Sequence, residues 1–334
     1  MELIKMKELI TNEKIRHSND LNATLAALPL SAKRALFMAL GYISPNDEVS
    51  ESQVFTIDAK SYARNSGIDI SLAYLQLKDG VDLLRASYFS LDSKDIVAMK
   101  DLLNIPREYE KASKVTFNLV SSVSYHKNDS CLKIRFSSEI MPLITKLRGD
   151  KNKYTTQLLI SAMSLNNHYS SALYMMLRKL YSANKWKSEF EVDIDEIKNE
   201  LVCYEIINDE IVYKYPLYSV FKREVLSKAI KDIEKKTEIK NIKISVGKKD
   251  GKKYSSLIFS FKVEGATEEQ EQVVEELINF VALNKTANVN GKEIIDNRKA
   301  NKMLLDLTGG KKRLSILEAK SFITEKYYVV KTEK

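Results

Sequence analysis

The sequence predicts an α+β, mainly helical protein, and three observations carry that prediction. Among 334 residues there are only 10 Gly and 5 Pro, a composition that favours helices joined by short loops. Apolar residues recur at helical spacing in several stretches, and short alternating runs follow them near residues 115–136 and 242–261. The order helix, helix, helix, hairpin can be read twice along the chain, with little identity between the two copies. The length is that of two or three domains.

The first copy follows a charged N-terminal segment, residues 1–30. Ser31 opens a helix, SAKRALFMALGYIS, with Leu36, Leu40 and Ile43 on one stripe, broken at Ser44-Pro45-Asn46. Val54 to Ile57 reads as a strand, and Asp58 is placed to cap the helix after it. Gly67 ends that helix, because glycine enters the left-handed cap conformation without strain. Ser71 opens a second helix to about Arg85, so that short helix, glycine turn and second helix make a helix-turn-helix. Tyr88–Leu91, Val115–Tyr125 and Leu132–Phe136 alternate as strands, and Tyr125 to Ser130 is a hairpin tip. This is the order of a winged-helix unit. Glu139–Arg148 is expected to be a helix leading onward, and Gly149-Asp150 marks a boundary.

In the second copy, Thr155–Leu165 and Ser170–Ser182 are expected helices, Phe190–Val192 a strand, and Asp193 the cap of a short helix. Ile206–Tyr213 is expected in a connecting loop. Ser219 is expected to cap a long helix from Val220 to Lys236, and Ile242–Val246 and Ser256–Phe261 form a hairpin with a lysine-rich tip. The expected domains are therefore an N-terminal segment (1–30), a first winged-helix domain (31–148), a second (149–264) and a small helical extension (265–334). That extension begins with an acidic helix over Thr267–Asn284, followed by a polar loop from Lys285 to Gly291.

Charge is concentrated in the second copy. From Lys214 to Lys253 there are thirteen Lys or Arg against five Asp or Glu, a surplus equal to the formal charge of +8 for the whole chain. A local excess of this kind points to a polyanionic partner better than overall basicity does. No apolar run approaches the roughly 20 residues that cross a bilayer. The first residues, MELIKMKELITNEKIRHSND, show no apolar signal region, and Cys131 and Cys203 are read as buried thiols. The expectation is a soluble, cytoplasmic protein that binds DNA.

On the long helix, Phe221, Val225, Ala229 and Ile233 make the buried stripe and leave Lys222, Arg223, Lys228, Lys231 and Lys235 outside it. The first turns of such a helix enter the major groove, where Arg and Lys read guanine O6 and N7. Lys222, Arg223 and Ser227 are the candidate base readers. Lys214, Ser219 and Lys231, with wing residues Lys248, Lys249, Lys252 and Lys253, suit phosphates. In the first copy Lys60, Ser71, Tyr74 and Lys78 are the DNA-facing candidates, with Gln76 and Arg85 beside them, but Asp69, Asp79 and Asp82 dilute that helix. Its role is either a weaker dock on DNA or protein contact.

An active site does not emerge. His17, His126 and His168 are far apart, without a metal-ligand spacing, and no catalytic residue, metal or cofactor is expected. Gly309-Gly310-Lys311-Lys312 lacks the frame of a phosphate loop. Trp186 reads as a packing anchor.

The pieces FTIDAKSYARNSGIDISLAYLQLKDGVDLL, LKIRFSSEIMPLITKL, KYTTQLLISAMSLNNHYSSALYMMLRKL and VFKREVLSKAIKDIEKKTEI, with the closing LIFSFK, occur in an order and spacing that carry a resemblance. Over about residues 18–262 the chain resembles the RepB-type, iteron-binding plasmid replication initiators, whose fold is two winged-helix domains. The resemblance implies a non-enzymatic initiator whose second domain reads the major groove of directly repeated iterons. It implies that monomers help melt adjacent AT-rich DNA, while dimers occupy an inverted repeat in the promoter and repress the gene, or pair origins to limit copy number. It also implies recruitment of the host replication initiator and replicative helicase. The recognition helix then corresponds to Val220–Lys236 and the wing to Val246–Lys253. Two other classes stand beside this one: a winged-helix transcriptional regulator without a replication role, and a nickase or primase, for which no metal site or activated nucleophile is visible.

Overall fold

The computed structural model describes residues 14–43, 49–145, 147, 154–183, 187–208, 210–251, 253–264, 286–289 and 292–294. Residues 14–183 and 189–261 belong to one compact unit, and residues 184–188 with 262–334 to a second.

The chain enters through β1 (Lys14–Ser18), a 3-10 turn and α1 (Asn22–Ala27). The first winged helix comprises α2 (Leu30–Leu40), β2 (Phe55–Asp58), α3 (Ala59–Ser66), α4 (Ile70–Arg85), β3 (Tyr88–Asp92), α5 (Ser93–Met99), β4 (Lys114–Asn118), β5 (Val120–His126) and β6 (Cys131–Phe136). As expected, the Asp58 carboxylate accepts from the Ser61 N–H at 2.7 Å and caps α3. Gly67 ends α3 at φ +67°, a conformation that costs L side chains. The helix after it starts at Ile70, one residue before the expected Ser71, and is capped by Asp69. α4 lies directly on α2: a Cβ at Gly80 would sit 2.4 Å from the Ser31 carbonyl oxygen, so only glycine admits this approach. Strands β2, β6 and β5 form one antiparallel sheet in that order, with Ile57 opposite Leu132 and Val123 opposite Ile134.

The second winged helix repeats the plan. It follows β7 (Tyr154–Leu158) and α6 (Leu159–Ser164) with α7 (His168–Ala183), β8 (Glu189–Asp193), α8 (Ile194–Glu200), β9 (Tyr204–Ile207) and β10 (Glu210–Tyr213). Next come α9 (Tyr218–Phe221), a π-helical segment (Lys222–Leu226) and α10 (Ser227–Lys236), which form one continuous helix. Strands β11 (Ile239–Val246) and β14 (Ser256–Val263) flank a small ribbon of β12 (Lys249–Asp250) and β13 (Lys253–Tyr254) at the wing tip. The sheet order β11-β14-β8 matches β5-β6-β2 of the first copy. Phe190 and Phe259 face each other across β8 and β14, and Phe190 stacks on Phe261 at 5.3 Å.

Several expectations are corrected. Part of the charged N-terminal segment is a strand: β1 pairs with β7, His17 opposite Thr155, across nearly the whole first winged helix. A partner so far along the chain leaves no local periodicity to find. For the same reason the start of the expected helix Thr155–Leu165 is extended. The expected helix Glu139–Arg148 is, in its described residues, a 3-10 turn at Met141–Leu143. The expected loop at Ile206–Tyr213 is a hairpin, Ile206 opposite Ile211. In the C-terminal extension the described residues are two antiparallel strands, β15 (Thr286–Val289), which falls in the expected polar loop, and β16 (Lys292–Ile294), just beyond it. The expected acidic helix, Gly309–Lys312, Trp186 and Lys252 lie outside the described residues.

Both cysteines are buried free thiols. Helix α6 packs on α2 and α3 of the first winged helix. Arg34 donates from Nε to the Met163 carbonyl at 3.0 Å and from Nη2 to that of Leu165 at 2.9 Å.

Candidate nucleic-acid interface

The helix Tyr218–Lys236 is seated by Phe221, Val225, Leu226, Ala229 and Ile233, each at most 1% exposed. Burying the large members contributes roughly 1.5–3 kcal/mol each. Period four explains Phe221, Val225, Ala229 and Ile233. Leu226 was missed, because its burial next to Val225 accompanies the π-helical turn, which no sequence pattern announces. Such turns are rare and cluster at functional sites.

The same turn carries two of the candidate base readers. Lys222, Arg223, Ser227 and Lys231 are all exposed on this one helix. Lys222 and Lys231 have no ion-pair partner among the described residues. Arg223 Nε donates to Glu224 Oε1 at 2.7 Å, and Lys228 Nζ to Glu224 Oε2 at 2.6 Å. Hydrogen bonds from Lys228 and then Arg223 hold the Glu224 carboxyl down at about 2. Ser219 does not cap the helix as expected. The cap position is Leu217, with no side-chain bond, and Ser219 is exposed in the first turn.

The far end of the helix is anchored in the core. Glu238 accepts from Arg178 Nη1 at 3.0 Å and from the Tyr174 hydroxyl at 2.8 Å, and Ser161 bonds its other oxygen. Arg178 is 1% exposed. The chain just past the helix end is thereby fixed to α6 and α7.

The wing is tied to the start of this helix. Tyr254 of β13 meets Tyr218 edge-on at 5.3 Å, and Lys249 Nζ sits 5.4 Å from the Tyr254 ring centre. Burial and then the neighbouring Tyr254 push the Tyr218 hydroxyl pKa up. Lys248, Lys249 and Lys253 are exposed, and Lys248 lies 3.8 Å from Glu191. Lys214 is apart from this group: it pairs with Glu205 of β9 at 3.4 Å.

In the first winged helix an open cavity of about 750 Å³ lies over the helix turn, lined by Lys60, Arg64, Gly67, Ile70, Tyr74 and Ser130, among others. It brings Lys60 and Tyr74 together. Ser71 is turned back on its cap, donating to Asp69 at 2.6 Å. Lys78 is neutralised by Asp82 at 3.0 Å, and Asp82 also accepts from the Tyr125 hydroxyl of β5. Among the described residues no group of three or more His, Cys, Asp or Glu could hold a metal ion, and no helix is long and apolar enough to cross a membrane.

Two winged helices in one chain, with an exposed cationic helix and a lysine-bearing wing on the second, define a tandem winged-helix DNA-binding protein. The family models "Initiator Replication protein, WH1" and "Initiator Rep protein, WH2" match residues 14–178 and 207–261. The chain belongs to this replication initiator family. It is 43% identical over 266 residues to the PI protein of Escherichia coli, which covers 79% of this chain and 87% of that protein. It also matches the crystal structure of the Pi initiator protein in complex with iteron DNA at 42% identity and a TM-score of 0.70, covering 76% of this chain and 99% of that one. Membership separates it from transcriptional regulators without a replication role.

Proposed function

We propose that the protein initiates plasmid replication by binding iteron repeats of double-stranded DNA at its origin, with helix Tyr218–Lys236 in the major groove and the β11–β14 wing against the backbone. The observation that carries this is the exposed row Lys222, Arg223, Ser227 and Lys231 on a helix whose inner face and far end are locked into the core. The Pi initiator, solved on iteron DNA, supplies the ligand class. Lys222, Arg223 and Ser227 read base edges. Ser219, Lys231, Lys248, Lys249, Lys252 and Lys253 bind phosphates. Lys214 has a smaller share, since Glu205 already faces it.

The first winged helix adds a weaker backbone contact through Lys60 and Tyr74, with Ser71 and Lys78 at its margin. It also takes part in self-association, for which the exposed Leu72 and Leu75 of α4 are suited. The dimer occupies an inverted repeat in the promoter and represses the gene. On the origin the protein promotes local melting and recruits the host replication initiator and replicative helicase. The initiator acts by binding and DNA deformation, without an active site of its own.

The test is footprinting of the purified protein on the DNA upstream of its gene, against random duplex, over a salt series. Regularly spaced protection over direct repeats is expected. Protection of a single inverted repeat alone, or equal affinity for random DNA, would overturn the reading.

A further inference from the structure

The reading helix carries three acidic residues. Two are engaged close to its seat: Asp232 pairs with Lys236 at 2.8 Å, and Glu234 accepts the Ile242 N–H at 2.8 Å. Glu224 is different. It lies in the π-helical segment beside the candidate base readers, where a carboxylate works against phosphate attraction. Its two oxygens are divided between two cations, Oε1 to Arg223 Nε and Oε2 to Lys228 Nζ. Neighbouring side chains on a regular helix diverge, so this i,i+1 contact is unusual in itself.

Resting on the proposed major-groove reading, we propose that Glu224 is a specificity-determining positioning residue. It aims the Arg223 guanidinium and offsets the charge of Lys228 until a matched sequence is met. The geometry gives both effects. A guanidinium is planar, so holding Nε sets the plane of the whole fork and leaves both Nη groups for a bidentate contact to guanine O6 and N7. Arg223 then approaches the groove with part of its rotamer freedom already removed. Lys228, facing its own carboxylate, contributes less to sequence-independent attachment. The low Glu224 pKa keeps the carboxylate charged throughout the physiological range.

The test is Glu224→Gln in the full chain, on a specific and a random duplex over a salt series. Glutamine keeps the size and removes the charge at a half-buried surface position whose partners among the described residues are Arg223 and Lys228, so folding is not at stake. Affinity for random DNA is expected to rise about three- to tenfold, with a salt slope steeper by roughly 0.9 for one more phosphate contact. The specific-over-random ratio is expected to fall about tenfold, the scale of one base contact. In an Arg223→Ala background the same substitution should no longer change the ratio, a coupling that a merely structural role would not produce. An unchanged ratio in Glu224→Gln, an equal loss on both duplexes, or the same fall of the ratio without Arg223 overturns the inference while leaving the initiator reading intact. If the unaltered protein itself shows no preference for its own DNA, the initiator reading falls first and the inference with it.

Discussion

Two helices hold the same place in two copies of one topology, and their surfaces differ. α4 carries Lys78 and Arg85 against Asp79 and Asp82, a balance of zero, and it exposes Leu72, Leu75 and Leu83 at 51%, 57% and 42%. The Tyr218–Lys236 helix carries six cations against three acids, and its outer face is polar. Lys78 is bound to Asp82 and lies over the Tyr125 ring at 5.8 Å, whereas Lys222 and Lys231 have no ion-pair partner among the described residues. The fold supplies a helix that fits a groove. The side chains on its outer face decide whether that helix is suited to DNA or to another protein.

The contrast can be broken at the anchors. Arg178→Ala leaves the buried Glu238 carboxylate without its ion partner and should cost about 3–5 kcal/mol of stability, read by denaturant unfolding. A loss below about 1 kcal/mol would mean that the reading helix is not held from its far end.

Acid should act next. His17 on β1 is fully buried, and burial lowers its pKa from 6.5 to about 4. A folded pKa below the unfolded one means that the unfolded chain binds the proton more readily. Stability is therefore complete above about pH 6.5 and falls as pH drops towards 4, by about 3 kcal/mol at most. His17→Gln should make that part of the pH–stability curve shallower, the rest being due to His168, whose pKa burial also lowers to about 4, and an unchanged curve would remove His17 as a cause.

DNA binding sharpens the comparison directly. Lys222→Ala or Arg223→Ala should each lose about 1–3 kcal/mol on the specific site and little on random DNA. Lys249→Ala should weaken both alike and make the salt slope shallower by roughly 0.9. Lys78→Ala should change specific binding by less than about 0.5 kcal/mol, because an exposed paired lysine has little to lose. If Lys78→Ala cost as much as Arg223→Ala, the two helices would be equivalent readers and the distinction drawn between them would fail.

Much of this was legible in the chain. The period-four stripe from Phe221 to Ile233 and the caps at Asp58 and Gly67 are local signals that formed as expected. The β1–β7 pairing, the β9–β10 hairpin and the π-helical turn were not, nor was the loss of Ser219 as a cap. Within the candidate site, residue type and helix face could be read in advance. The i,i+4 pairs Lys78–Asp82 and Glu224–Lys228 are also local, but the sharing of Glu224 with Arg223 and the pairing of Lys214 with Glu205 across the β9–β10 hairpin were not evident.

The division has a physical reason. Periodicity, capping and charge density depend on neighbours within a few residues, so the sequence alone determined two winged helices and which of them is basic. Strand partners far along the chain and the seating of Glu238 among Arg178, Tyr174 and Ser161 depend on packing between distant segments. Only the tertiary structure decided those, because the free energy of a buried or paired charge belongs to the surroundings that the fold assembles.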